Sequence, residues 1–122
     1  MDISIKYRIN RGNYMNSYEH TLIVKQDLAE SQIKNLISKY EDIIKDNSGK
    51  ILKTQDWGIR NLSHKIGNNK KGFYYHIKFD GDGKTIEELE RAENIDEGLI
   101  RYLTVKVKKH DLEKNYFEKR EL

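Results

Sequence analysis

The chain has 122 residues, no cysteine, no proline and one tryptophan, with 23 Lys and Arg against 20 Asp and Glu and a formal net charge of +3. This length predicts one domain, able to bury roughly 65% of its unfolded surface around a single core. The lack of cysteine excludes disulfides, thiolate metal sites and cysteine nucleophiles and fits a reducing compartment. No apolar run approaches the ~18 residues of a membrane helix, and the opening MDISIKYRIN lacks a signal-peptide core. The small net charge means that contact with a polyanion has to come from a local patch.

Residues 1–17 show no period and carry Lys6, Arg8 and Arg11 against Asp2, which reads as a flexible basic extension. Met15 stands directly before a strand pattern, and Arg11-Gly12 can be encoded by a purine-rich run just upstream. Met15 is therefore a candidate start, and residues 1–14 a candidate translated leader. Tyr18 to Lys25 alternates as a strand, with Tyr18, His20, Leu22 and Val24 on one face and Glu19, Thr21 and Ile23 on the other. Asp27, with Glu30 three residues on, suggests a cap for a helix over about 29–47. Ile33, Leu36, Ile37, Tyr40, Ile43 and Ile44 recur on one face of that helix, and Gly49 is placed to stop it.

Residues 49–80 read as a long hairpin turning at Gly67-Asn68-Asn69 and closing on an aromatic strand from Phe73 to Phe79. From Lys50 to Lys71 it holds six cations (Lys50, Lys53, Arg60, Lys65, Lys70, Lys71) against Asp56 alone. Asp80 to Gly83 reads as a turn, and Thr85-Ile86-Glu87-Glu88 as the capping box of a second helix over about 85–94. Ile86, Leu89, Ala92 and Glu93 trace its buried edge. Leu99 to Lys108 is the last strand, and residues 109–122 a charged tail. The order β-α-β-β-α-β predicts an α+β, ferredoxin-like domain over 18–108. Such a fold has a four-stranded antiparallel sheet with two helices on one face. Its first and third strands are central, its second and fourth are edges, and the other sheet face is open.

Little in this pattern suggests catalysis. Alternation puts His20 on the helix-covered face and His76 on the open one, and neither HxxxH nor HExxH occurs around the four histidines. The acidic run Glu87 to Glu93 reads as a solvated helix face. Lys71-Gly72-Phe73-Tyr74-Tyr75 invites comparison with the third strand of the RNA-recognition motif. It departs from that pattern at Tyr74, His76 and Lys78, which argues against base stacking in that manner. The basic hairpin remains as the candidate polyanion contact, with Arg60, Lys65, Lys70, Lys71 and Arg101 as phosphate ligands. A small-molecule-sensing or self-associating ferredoxin-like domain without RNA is the alternative. An acylphosphatase-type enzyme is disfavoured, because Lys25-Gln26-Asp27-Leu28 lacks the arginine-bearing phosphate loop that chemistry needs.

The chain also resembles the bacterial small-subunit ribosomal protein six family from about Tyr18 to Lys108. The resemblance rests on Tyr18-Glu19-His20, on Asp56-Trp57-Gly58-Ile59-Arg60-Asn61-Leu62 with Ile66, on Lys71 with Tyr74-Tyr75, and on Ile100 to Val107. Ser63-His64 and Lys65 depart from the usual residues after the W-G-x-R-x-L block, and a long acidic tail is absent. The resemblance implies a non-enzymatic structural component of the small ribosomal subunit without a cofactor or metal. It also implies two partners, the central domain of small-subunit (16S) rRNA and small-subunit protein eighteen, and a cytoplasmic, ribosomal location. On this reading Trp57, Gly58 and Leu62 are structural, and Ile23, Tyr74 and Tyr102 are candidates for the protein partner.

Overall fold

The structure, a computed structural model, describes residues 15–112; the expected leader 1–14 and the end of the tail lie outside the described residues. Six elements follow in order: β1 (Asn16–Lys25), α1 (Glu30–Asp46), β2 (Lys50–Ile66), β3 (Asn69–Gly81), α2 (Gly83–Asn94) and β4 (Leu99–Val107). The sheet order is β2-β3-β1-β4, so β1 and β3 are central and β2 and β4 are edges, as the element order predicts. β1 pairs antiparallel with β3 from Asn16↔Gly81 to Lys25↔Gly72, and with β4 from Ser17↔Val107 to Val24↔Leu99.

That register sends alternate side chains of β1 to opposite faces. Leu22 and Val24 join Ile77 and Phe79 of β3 under the helices, where they meet Ile33, Leu36, Ile37, Tyr40 and Ile44 of α1 and Leu89 of α2. The apolar stripe read from α1 is thus the core stripe, with Ile43 at its margin. The Tyr40 hydroxyl donates to Asp96 Oδ2 at 2.9 Å, and burial followed by this bond drives its pKa upward.

Helix ends differ from the sequence reading in detail. Asp27 falls in the turn after β1 rather than at a cap; α1 starts behind Ala29, whose N–H donates to Gln32 Oε1 at 2.8 Å. Leu28 packs inward against the core, and the helix opens at Glu30, one residue later than the sequence suggests. For α2 the cap is Asp82, not the Thr85 box: Asp82 Oδ1 accepts from the N–H groups of Lys84 and Thr85, both at 3.0 Å. Thr85 occupies the third helical position and its hydroxyl donates to the Asn47 carbonyl at 2.7 Å, tying the end of α1 to the start of α2.

The stop of α1 divides between two residues. Ser48, with φ 68°, takes the left-handed conformation that usually falls to glycine. Gly49 is required for space instead: a Cβ there would lie 2.5 Å from Ile44 Cγ2 and 2.6 Å from the Ile44 carbonyl oxygen. Adjacent substitutions should therefore act with opposite sign. Ser48→Gly should stabilise by up to about 1 kcal/mol by relieving the left-handed strain. Gly49→Ala should destabilise by about 1–3 kcal/mol through overpacking. Urea unfolding midpoints of the two variants measure both effects.

Candidate functional site

The hairpin joins two long strands whose register breaks at three places, the last of them leaving residues 62–65 outside the paired register. Pairing of β2 with β3 runs from Lys50↔Asp80 to Ile66↔Asn69, with irregularities at Ile51/Lys53, Asp56/Gly58 and Asn61/Ile66. The second irregularity is a bulge built by Trp57 and Gly58. Gly58 adopts φ 76°, and its N–H donates to Asp56 Oδ1 at 2.8 Å. The bulge lays the Trp57 indole on the open face, stacked on His76 at 4.5 Å and 13° between planes. Trp57 Nε1 donates to Gln55 Oε1 at 3.2 Å, and Arg60 Nε donates to the Trp57 carbonyl at 3.0 Å. Arg60, expected as a phosphate ligand, therefore also braces the bulge. Leu62 is half-buried further along the strand.

Toward the tip of the hairpin, Ile23, Leu62, His64, Lys65, Tyr74 and Arg101 line one shallow cleft on the open face. Residues from β1, β2, β3 and β4 meet there because Ile23 pairs with both Tyr74 and Arg101. The structure thus brings together two expected phosphate ligands, Lys65 and Arg101, and two expected partner contacts, Ile23 and Tyr74. Lys70 and Lys71 lie exposed at the start of β3 beside the Gly67-Asn68 turn. Alternation turns Lys70 to the face of Tyr74 and Lys71 to the opposite one.

Tyr102 is placed elsewhere. It lies on the helix-covered side of edge strand β4, its ring 5.9 Å from His20 and its hydroxyl donating to Asn94 Oδ1 at 2.6 Å. The open face of β4 instead presents Leu103 and Val105, 62% and 47% exposed. Their alternation is visible in the sequence, but only pairing of Thr21 with Leu103 and Glu19 with Val105 shows which side they take.

Two histidine chains run back to back through β1. On the helix side the His20 ring bridges Thr104 Oγ1 (2.7 Å) and Glu93 Oε2 (2.6 Å), with His20 and Glu93 side chains wholly buried. Glu93 Oε1 has no hydrogen-bond partner, and burial pushes this carboxyl above the usual range against the opposing pull of the His20 bond. On the open side the His76 ring bridges Thr21 Oγ1 (2.8 Å) and Glu19 Oε1 (3.2 Å). Each is a hydroxyl–imidazole–carboxylate sequence. The partners of His20 are 84 and 73 residues away and those of His76 are 55 and 57, so no local spacing reveals either chain. Their burial, with His20 0% and His76 3% exposed, makes them sheet braces rather than reactive centres. Among the described residues no group of His, Asp and Glu is arranged to hold a metal ion, and no helix is long and apolar enough to cross a membrane.

A split βαβ sheet with one covered face, one open face and a basic hairpin defines a ferredoxin-like protein that works through its surfaces. Residues 17–106 match the profile of the family described as Ribosomal protein S6. The small ribosomal subunit protein bS6 of Pelagibacter ubique is 51% identical over 107 residues, covering 88% of each chain. The bS6 protein of Rickettsia felis is 46% identical over 92 residues, covering 75% of this chain and 76% of the relative. The crystal structure of 30S ribosomal protein S6 from Thermotoga maritima superposes with a TM-score of 0.73 at 29% identity, covering 76% of this chain and 88% of that one. The chain belongs to the ribosomal protein S6 family, whose members are structural proteins of the small ribosomal subunit and not enzymes.

The buried ionisable groups set opposite pH trends. Burial chiefly, against the nearby Glu19, lowers the His76 pKa below its ordinary value. A depressed folded-state value contributes stability that is present above the unfolded pKa of about 6.5 and lost as pH falls through the folded value. The raised Glu93 value works the other way, its contribution fading as pH rises through it. The drop in urea midpoint between pH 7 and pH 5 should accordingly be smaller in His76→Gln than in the parent chain. The amide of that variant can still accept from Thr21 and donate to Glu19, and equal drops would exclude His76 as the titrating group.

Proposed function

We propose that this chain binds the central domain of small-subunit (16S) rRNA jointly with small-subunit protein eighteen, as a structural component of the cytoplasmic small ribosomal subunit. The observation that carries this reading is the cleft at the hairpin end of the open face, where Lys65 and Arg101 flank the apolar side chains Ile23, Leu62 and Tyr74. Cations on rigid strands reach phosphates without reading bases, so affinity comes from counterion release and specificity largely from RNA shape. Lys70 at the hairpin tip and Arg60 at its bulge extend the same basic surface, while Lys71 turns to the opposite face of the sheet.

The protein partner takes the apolar part of that face. Leu103 and Val105 of the edge strand, with Tyr74 across the sheet, form its contact surface; Ile23, only 9% exposed, backs that surface from beneath. A partner bound there and to the same RNA lowers the ordering cost of both, so joint binding is cooperative.

Two measurements test this. Recovery of the tagged chain from lysate should bring down small-subunit rRNA and one small basic protein, and the RNA should disappear after ribonuclease treatment. In purified binding to the rRNA central domain, Lys65→Ala with Arg101→Ala should lower the slope of log affinity against log salt by about one per lost contact. An unchanged slope would remove both residues from the list of phosphate ligands.

A further inference from the structure

Beyond Val107 the chain doubles back across the open face. His110 Nε2 lies 3.1 Å from both Asp80 Oδ1 and the Phe79 carbonyl oxygen. With His110 Nδ1 buried and unpartnered, Nε2–H is the donor shared between these two oxygens. Lys78 Nζ donates to the Asp111 carbonyl, and Lys53 Nζ donates to the Leu112 carbonyl at 2.7 Å. Successive residues thus step from edge strand β4 over the central strands to Lys53 on the far edge.

The segment closes over charged groups and is anchored through one buried side chain, that of His110, 5% exposed. Lys78 is 0% and Asp80 6% exposed on what would otherwise be an open sheet surface. Lys108, Lys109, Asp111 and Leu112 remain exposed, Leu112 at 43%. A segment with one buried side chain and exposed residues on both sides of it stands at the low end of local stability. The segment also leaves Leu103 and Val105 uncovered.

We propose that residues 108–112 are a displaceable strap that competes with the protein partner for the open face. This rests on the reading that the open face receives that partner. The strap offers backbone carbonyls to Lys53 and Lys78 and an imidazole N–H to Asp80. A displacing polypeptide has to offer the same groups: carbonyl oxygens to the two lysines and a donor to the carboxylate. Contact begins on Leu103 and Val105, and spreads to the Lys78–Asp80 row as the strap lifts.

The test compares three proteins: the full chain, a chain ending at Lys109, and full-length His110→Ala. Acylation of Lys78 by a soluble active ester, read by peptide mass spectrometry, reports strap closure without any partner. Titration with purified small-subunit protein eighteen reports competition. The chain ending at Lys109 should acylate at Lys78 about tenfold faster and bind about tenfold more tightly, the factors expected when the open form is about a tenth of the population. His110→Ala should fall between the two in both measurements. Equal Lys78 reactivity in all three proteins would mean that no strap forms and would overturn the inference. Faster acylation with unchanged or weaker affinity would overturn the competition and leave the proposed function standing. Absence of binding by all three would overturn the partner reading, and the competition with it.

Discussion

The ten-residue antiparallel register between β1 and β3 is the constraint on which the other features depend. Side chains on a strand alternate with a period of two, so a slip of one residue would exchange the two faces wholesale. In the observed register, Leu22 and Val24 meet Ile77 and Phe79 beneath the helices, while Thr21 and Glu19 meet His76 on the other side. Both histidine chains hang from β1, one on each face: the His76 chain forms only in this register, and the His20 chain depends on the β1–β4 pairing that sets His20 opposite Thr104. Their cost in burying ionisable groups is offset by specificity, because a slipped sheet would leave those groups unpaired.

Two sheet faces with unlike chemistry follow from that pairing. The covered face is closed by α1 and α2, which are linked where the Thr85 hydroxyl meets the Asn47 carbonyl. The open face carries Trp57 on His76 near one margin and the Ile23, Tyr74, Arg101 and Lys65 cleft toward the hairpin tip. Gly58 allows the bulge that turns Trp57 onto this face, so the aromatic part of the motif secures the hairpin and the flanking cations are left at its surface.

Much of the architecture is legible in the sequence because it is written in local periods. The helical recurrence from Ile33 to Ile44 and the alternation from Tyr18 to Lys25 report which side chains face inward, and the element order then restricts the topology. What escaped were features decided by distant contacts or by competition among neighbouring residues. Asp82 rather than Thr85 caps α2, since the preceding strand extends through Gly81 and brings the Asp82 carboxylate to the helix start. Ser48 takes the left-handed turn because Gly49 is held against Ile44. For the site, the sequence shows which cations are clustered but not that Lys65 and Arg101 share a cleft. It likewise does not show that Tyr102 belongs to the covered side while Leu103 and Val105 belong to the open one. Those assignments wait on strand pairing.

The two edge strands also bear on how the protein survives before it is assembled. An unpaired strand edge is a template for another chain, and an apolar one invites stacking into aggregates. Each edge here is blunted by a different means. β2 is interrupted by three slips in register, including the Trp57-Gly58 bulge, which break the regular row of backbone donors and acceptors. On β4, cations stand beside the apolar residues: Arg101 and Lys106 on the strand, Lys108 and Lys109 just past it. A second copy laid antiparallel against β4 would bring like charges together. The same fringe therefore discriminates against self-association through this edge.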